Sequence, residues 1–358
     1  MGFRFLPCML FRGGTSKGPY FNANDLPENE ADRDQALLSA MGSPDLRQID
    51  GLGGADSLTS KVAIVSASDR PGIDVDYLFA QVAIDRAVVD VAPSCGNMLA
   101  GVAPFALETG LIEPDGEETR VMIFNVNTNS KIEAIIETPG GNINYDGAAS
   151  IDGVPGTAAP IYLNFMEVVG SKTGKLLPTG QAMDTIDGID VSCIDVAMPM
   201  VLVRAADFGL SGHEGRDEIN KNRLLFELIE PIRREAGERM GLGDVSEQVI
   251  PKIGLLAPPE KGGNISSRYL TPWNVHAAHA VTGAVCLAAA SAIEGTIAAE
   301  FCPELEGSPR DIVIEHPSGH IDVRLETTGE GAETDVLSAG ILRTARLIMR
   351  GEVMIREG

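Results

Sequence analysis

The sequence predicts an α+β chain made of two similar halves. Three observations carry this: short β-rich runs outnumber the helices, two alanine-rich apolar stretches read as buried helices, and an internal repeat superimposes those two stretches.

The strands come from apolar runs bounded by turn residues, at 61–67, 119–125, 132–138, 158–168, 194–203 and 311–315. The two alanine-rich stretches, 97–108 and 282–293, hold few β-branched residues, so they are expected to be buried helices. A third helix, 223–237, is amphipathic and rich in charge. Residues 95–112, CGNMLAGVAPFALETGLI, align without a gap on residues 280–297, AVTGAVCLAAASAIEGTI. A strand signature follows each, PGGNI in the first half and PSGHI in the second. With a boundary in the turn-prone stretch 179–187, the expected domains are 1–185 and 186–358, the tail being free to pack back on the first half. A curved sheet wrapped round a central helix is the simplest way to bury each apolar helix. Two such halves would leave a cleft, with the starts of the two helices facing each other across it.

Composition narrows the function. A chain of 358 residues is long enough for two ordinary cores, and with 44% apolar but only 5% aromatic residues those cores rest on Ala, Val, Ile and Leu. The formal charge of −23 argues against nucleic acid and anionic membranes as partners, because both require a basic surface. It leaves room for a small anionic substrate held in a locally positive pocket. The first apolar run is too short for a signal peptide or a membrane span, so a cytoplasmic protein is expected. Five cysteines (Cys8, Cys95, Cys193, Cys286 and Cys302) are scattered without paired spacing, which suggests neither disulfides nor a zinc site. A homodimer is compatible with the charge where its interface is locally less acidic.

Several residues could carry chemistry. Cys95, Gly96 and Asn97 stand at a helix start, where free backbone N–H groups welcome an anion and favour a thiolate. There Cys95 is either a proton carrier or nucleophile, or a small buried hydrophobe. Lys61 precedes the apolar run 62–65. A poorly solvated lysine at a strand mouth can act as a base, yet it can also snorkel to water, and position alone favours the second. Arg12 to Gly18, RGGTSKG, lacks the spacing of a nucleotide phosphate loop; Thr15, Ser16 and Lys17 would suit a carboxylate, or form a tight turn with a solvated lysine. His276 and His279 lack a third ligand nearby, so donation to substrate or packing is expected in place of metal binding. Arg268 is either a carboxylate clamp or a surface charge.

The stretches RGGTSKG, MGSPDLRQIDGLGGADSLTSK, DYLFAQV, PSCGN, GVPGTAAPI, LLPTG, GDVS and EHPSG, spread over nearly the whole length, resemble the PrpF family, whose fold is diaminopimelate epimerase-like. The resemblance implies two epimerase-like halves, each a barrel-like sheet round a central helix, and no cofactor or metal. It implies Lys61 and Cys95 as the catalytic pair. In related epimerases a second cysteine stands at the facing helix start, where this sequence has Ala280. Ala280 cannot return a proton to the opposite face of a carbon, so a 1,3-allylic proton shift is expected, in which one base can serve both ends. The implied substrate is a small polycarboxylate, an unsaturated keto tricarboxylate such as 4-oxalomesaconate. Its carboxylates would be held by Thr15, Ser16, Lys17 and Arg268, and its dienolate stabilised by Gly96, Asn97, Thr282 and Gly283, with His279 as a further donor. The alternatives are a methylaconitate-type isomerase of the same family and a non-catalytic accessory protein of an aconitase-like enzyme.

Overall fold

Alternation between buried and exposed residues builds the first hairpin of the computed structural model, which describes residues 2–166, 169–271, 273–302, 307–329 and 334–356. β1 (Phe3–Gly13) and β2 (Ser16–Asn22) pair antiparallel, with Gly13 opposite Ser16, and β1 pairs along its other edge with the C-terminal strand Ala345–Arg356. An unpredicted helix follows, α1 (Glu30–Met41). It is capped by the Asn29 side chain, which accepts from the N–H groups of Ala31 and Asp32, and it stops at Gly42 with φ 75°. Its Leu37 and Met41 pack in one core with Val62 and Ile64 of β3 (Lys61–Ala67). β3 runs parallel to β2 and antiparallel to β4 (Val75–Val82), which also carries the short β5 (Val89–Asp90).

The expected helix 97–108 is divided into α2 (Gly96–Leu99) and α3 (Val102–Glu108). Pro104 has no N–H to offer the Ala100 carbonyl, which interrupts the ladder. The buried Tyr20 hydroxyl presses on the joint and donates to the Met98 carbonyl, while a Cβ on Gly101 would lie 2.5 Å from the Tyr20 oxygen. Next come β6 (Glu118–Asn125) and β7 (Ser130–Glu137), β6 parallel to β4 and antiparallel to β7. The expected strand 158–168 is β8 (Ile161–Met166), and residues 167 and 168 lie outside the described residues.

The chain divides into two compact units, Met1–Asn164 with Leu342–Gly358, and Phe165–Ile341. In the second unit β9 (Asp184–Ile186) pairs with β10 (Ile189–Val196). The single strand expected at 194–203 is two: β10 reverses at Ala197, φ 59°, into the antiparallel β11 (Met198–Arg204). After α4 (Arg216–Lys221) and α5 (Arg223–Arg239) come β12 (Lys252–Ala257) and β13 (Ile265–Leu270). The apolar α6 (Val281–Ser291) is buried from Gly283 to Ser291. α7 (Ile297–Phe301), β14 (Arg310–His316), β15 (Gly319–Thr328) and β16 (Asp335–Arg343) complete the unit.

The sequence repeat is matched by the pairing order. β1, β2, β3, β4, β6 and β7 are joined antiparallel, parallel, antiparallel, parallel, antiparallel, and so are β10, β11, β12, β13, β14 and β15. The buried helical segments lie between the fourth and fifth members of each set. Among the described residues no helix is long and apolar enough to cross a membrane.

Gly18 concentrates the packing of the first unit, since a Cβ there would sit 1.8 Å from the Lys61 carbonyl oxygen and 3.1 Å from Met98 Cε. Neither obstacle is a flexible tip on both sides: one is strand backbone. Gly18→Ala is therefore expected to lower stability by about 2 kcal/mol or more in urea unfolding, by forcing β2 from β3.

Candidate active site

The turn Gly13–Ser16 is built to lie against the start of α2. A Cβ on Gly13 would meet the Asn97 carbonyl at 2.5 Å, one on Gly14 would meet Asn97 Oδ1 at 2.2 Å, and Asn97 Nδ2 donates to Thr15 Oγ1 at 3.0 Å. Arg12 secures the turn from behind, its Nη1 donating to the carbonyls of Gly14 and Thr344 and to Thr344 Oγ1. Beside this turn Ser16 is 1% exposed, and its hydroxyl has no hydrogen-bond partner among the described residues. A buried hydroxyl left so costs about 1–3 kcal/mol, which a bound oxygen would recover. Lys17 is half-buried, and its backbone N–H donates to the Leu58 carbonyl.

Lys61 is 9% exposed as the first residue of β3. Its Nζ donates to Gln81 Oε1 at 2.7 Å and lies 5.0 Å from the centre of the Phe79 ring. No carboxylate pairs with it among the described residues. Gln81, directly opposite on β4, turns its amide nitrogen to the carbonyls of Ser57 and Ser60, so its oxygen is the atom aimed at the amine. The loop before Lys61 is held by the buried Gln48, whose Nε2 donates to Ser43 Oγ and Ser60 Oγ while its Oε1 accepts from Ala55 N.

Cys95 is the N-cap of α2 and half-buried, and no side chain caps that end. The first-turn N–H groups, Gly96 and Asn97 included, thus have no intrahelical acceptor. The Tyr77 hydroxyl donates to the Cys95 carbonyl at 3.2 Å, and Asn125 Nδ2 donates to Ser94 Oγ at 2.7 Å, so the segment is held from below. Burial first, and the nearby Cys95 second, push the Tyr20 and Tyr77 hydroxyls well above their ordinary range, keeping both as protonated donors.

The structure thus gathers Thr15, Ser16, Lys17, Lys61, Cys95, Gly96 and Asn97 around one turn, one strand start and one helix start of the first unit. Gly18 joins them, touching both the Lys61 backbone and α2. Tyr77, Gln48 and Gln81 were not singled out from the sequence. The one available signal was Gln81, a polar residue at the end of the otherwise apolar run Tyr77–Val82 facing a lysine across the ladder.

The remaining candidates belong to the second unit. Ala280 is the N-cap of α6 as Cys95 is of α2; Thr282 is half-buried on the first turn, and Gly283 is pressed against Tyr269, where a Cβ would lie 2.2 Å from the ring. Arg268 is buried at 6% exposure, not a surface charge. Its Nε donates to the Glu214 carbonyl and its Nη1 to Ser266 Oγ and the Ser267 carbonyl, beside a small polar cavity of about 100 Å³ shared with His213, Lys261 and Glu315. His279 is buried, with Nδ1 3.0 Å from the Ala280 carbonyl and Nε2 3.1 Å from Ser267 Oγ. A carbonyl can only accept, so Nδ1 carries the proton and Nε2 accepts from Ser267. His276 Nδ1 accepts from Ala278 N. Among the described residues no group of three or more His, Cys, Asp or Glu is placed to hold a metal ion.

A family model described as PrpF protein matches residues 4–356. The chain is 52% identical over 349 residues to the (4E)-oxalomesaconate Delta-isomerase of Novosphingobium sp. (strain KA1), covering 98% of this chain and 97% of that protein. It is 47% identical over 356 residues to the 4-oxalomesaconate tautomerase of Pseudomonas putida, covering 99% and 97%. Its fold is similar to the crystal structure of a methylitaconate-delta-isomerase, with a TM-score of 0.88 and 37% identity over 99% of this chain and 96% of that one.

Burial holds His279 down to about 3, far below the ordinary imidazole value near 6.5. The unfolded chain therefore binds a proton below pH 6.5 that the folded chain refuses, and stability falls as pH drops from there toward 3. His279→Gln, which titrates in neither state, is expected to lose less stability than the wild type between pH 7 and pH 5, as read from urea midpoints; equal losses would refute a neutral buried imidazole.

Proposed function

Because the chain belongs to the PrpF family and is an isomerase of that family, we propose that it shifts a proton along the allyl unit of an unsaturated keto tricarboxylate such as 4-oxalomesaconate, with Lys61 as the base. The observation that carries the reading is the Lys61 amine, buried at a strand start and held by a neutral amide oxygen.

Acting as the base, Lys61 takes the proton from the sp³ carbon beside the C=C bond, and the electron pair left behind spreads over the allyl carbons and the keto oxygen as a dienolate. Returning a proton to the far end of the allyl unit moves the double bond, with no atom or electron gained or lost. The first-turn N–H groups of Gly96 and Asn97 and the Asn97 side chain are the donors suited to the developing anion. Thr15, Ser16 and Lys17 hold a carboxylate, and the orphaned Ser16 hydroxyl supports that role. Cys95 tunes or relays the proton. A cytoplasmic setting and the absence of a cofactor from the reaction belong to the same proposal.

A second reading has its own support: the methylitaconate-delta-isomerase fold matches over nearly the full chain, which favours a related substrate without the keto group. The identities of 52% and 47% to the two oxalomesaconate enzymes support the keto tricarboxylate as the first reading. Comparing kcat/KM for 4-oxalomesaconate and for 2-methylaconitate separates the two, and a preference for the latter would reverse the order.

Lys61→Met is expected to reduce kcat/KM by roughly 10³-fold or more while Cys95→Ser loses less, because removing the base removes the chemistry. In heavy water the wild type should place deuterium in the product. Turnover by Lys61→Met within tenfold of wild type, set as a rough threshold, would end the assignment of the base.

A further inference from the structure

The C-terminal strand, β17 (Ala345–Arg356), has a bare edge. Among the described residues it pairs with β1 and with no other strand. A strand paired along one side turns every second N–H and C=O outward, and 12 residues of such edge are a template for another chain. From Arg346 to Met354 no residue is buried. Ile348, Met349 and Met354 are exposed apolar side chains, as are Phe3 and Phe5 on β1, and Phe5 stands opposite Met354. No proline guards the strand.

Its charges point to the partner. In a chain of formal charge −23, β17 holds Arg346, Arg350 and Arg356 against Glu352 alone, so two copies can meet here without the repulsion of an acidic surface. Arg350 gives Nη2 to Glu108, while its Nε and Nη1 have no partner among the described residues, and Glu352 makes no hydrogen bond or ion pair among them. These two straddle Gly351, where an added Cβ would meet nothing within 4 Å. Residues opposite each other in a ladder share a face, and faces alternate along a strand, so a two-fold axis normal to the sheet must pass through a residue. On Arg350 or on Glu352 it would set like charges against each other; on Met349 it would face Arg350 with Ile348. On Gly351, the midpoint of 346–356, it sets Arg350 opposite the second copy's Glu352, twice, and Met349 opposite Val353, with Ile348 and Met354 next in line. Arg346 and Arg356 then meet at the ends, where Arg356 is already paired with Asp50.

We propose that β17 is the contact between two copies of this chain, paired antiparallel with its own equivalent about Gly351 in a two-fold dimer. The contact lies within the first unit and does not depend on the isomerase reading.

Sedimentation velocity of the full chain over about a hundredfold range of concentration tests it. The wild type should sediment as a dimer. Glu352→Arg sets arginine against Arg350 twice, and should raise the dimer Kd roughly tenfold or more; Arg350→Glu should do the same with glutamates. An equimolar mixture of the two variants restores opposite charges at both places and should regain wild-type association. Amides in 346–356 should exchange with heavy water more slowly in the wild type than in Glu352→Arg. A monomeric wild type, a dimer that Glu352→Arg leaves as tight, or a mixture no tighter than its two components overturns the proposal. Should either variant fail to fold by circular dichroism, Ile348→Lys carries the comparison: unchanged association overturns the contact, and a roughly tenfold loss supports it.

Discussion

Two strand backbones and a methionine side chain meet at a point where only hydrogen fits. Gly18 of β2 lies against the carbonyl of Lys61 and against Met98 of α2, so the lysine, the turn before it and the helix start are set by one packing contact and not by three loops. The neighbouring glycines extend the same logic. Gly13 and Gly14 let the turn settle on Asn97, and Gly101 admits the Tyr20 ring at the joint between α2 and α3. The small residues that make RGGTSKG look like a phosphate loop are there because the chain approaches itself.

Polar residues around Lys61 complete this arrangement from the other side. Gln81 is fixed by two carbonyls so that its oxygen must face the amine, and Gln48 ties the preceding loop to Ser43, Ser60 and Ala55. These are neutral groups. The amide orients the amine without adding a charge beside it.

Much of this was legible in the sequence where the signal was local. The strand at 61–67 and the N-cap positions of Cys95 and Ala280 follow from apolar runs meeting their boundaries, and the repeat between 95–112 and 280–297 is matched by the order in which the strands pair. What was not legible depends on partners far along the chain. The helix 97–108 breaks because Pro104 and Tyr20 act together, and Tyr20 is distant in sequence. The run 194–203 looks continuous because Ala197, which turns it, is as apolar as its neighbours; nothing but a positive φ marks the reversal. α1 carries little periodic signal because its buried face is confined to its second half. The sequence leaves Arg268 open between clamp and surface charge, because its burial behind the Glu214 and Ser267 carbonyls depends on β13 and the loop at 211–215 coming together.

The pairing of β1 with Ala345–Arg356 ties residues from the two ends of the chain into one ladder, from Phe3 beside Arg356 to Gly13 beside Ala345. During synthesis the first strand therefore emerges long before its neighbour exists, and one of its edges stays open while more than three hundred residues are added. The second unit is continuous in sequence and can close once its own residues are made; the first, which carries Lys61, must wait for residues 345–356. A chain shortened before Ala345 would present the outer edge of β1, unpaired and partly apolar, to its neighbours.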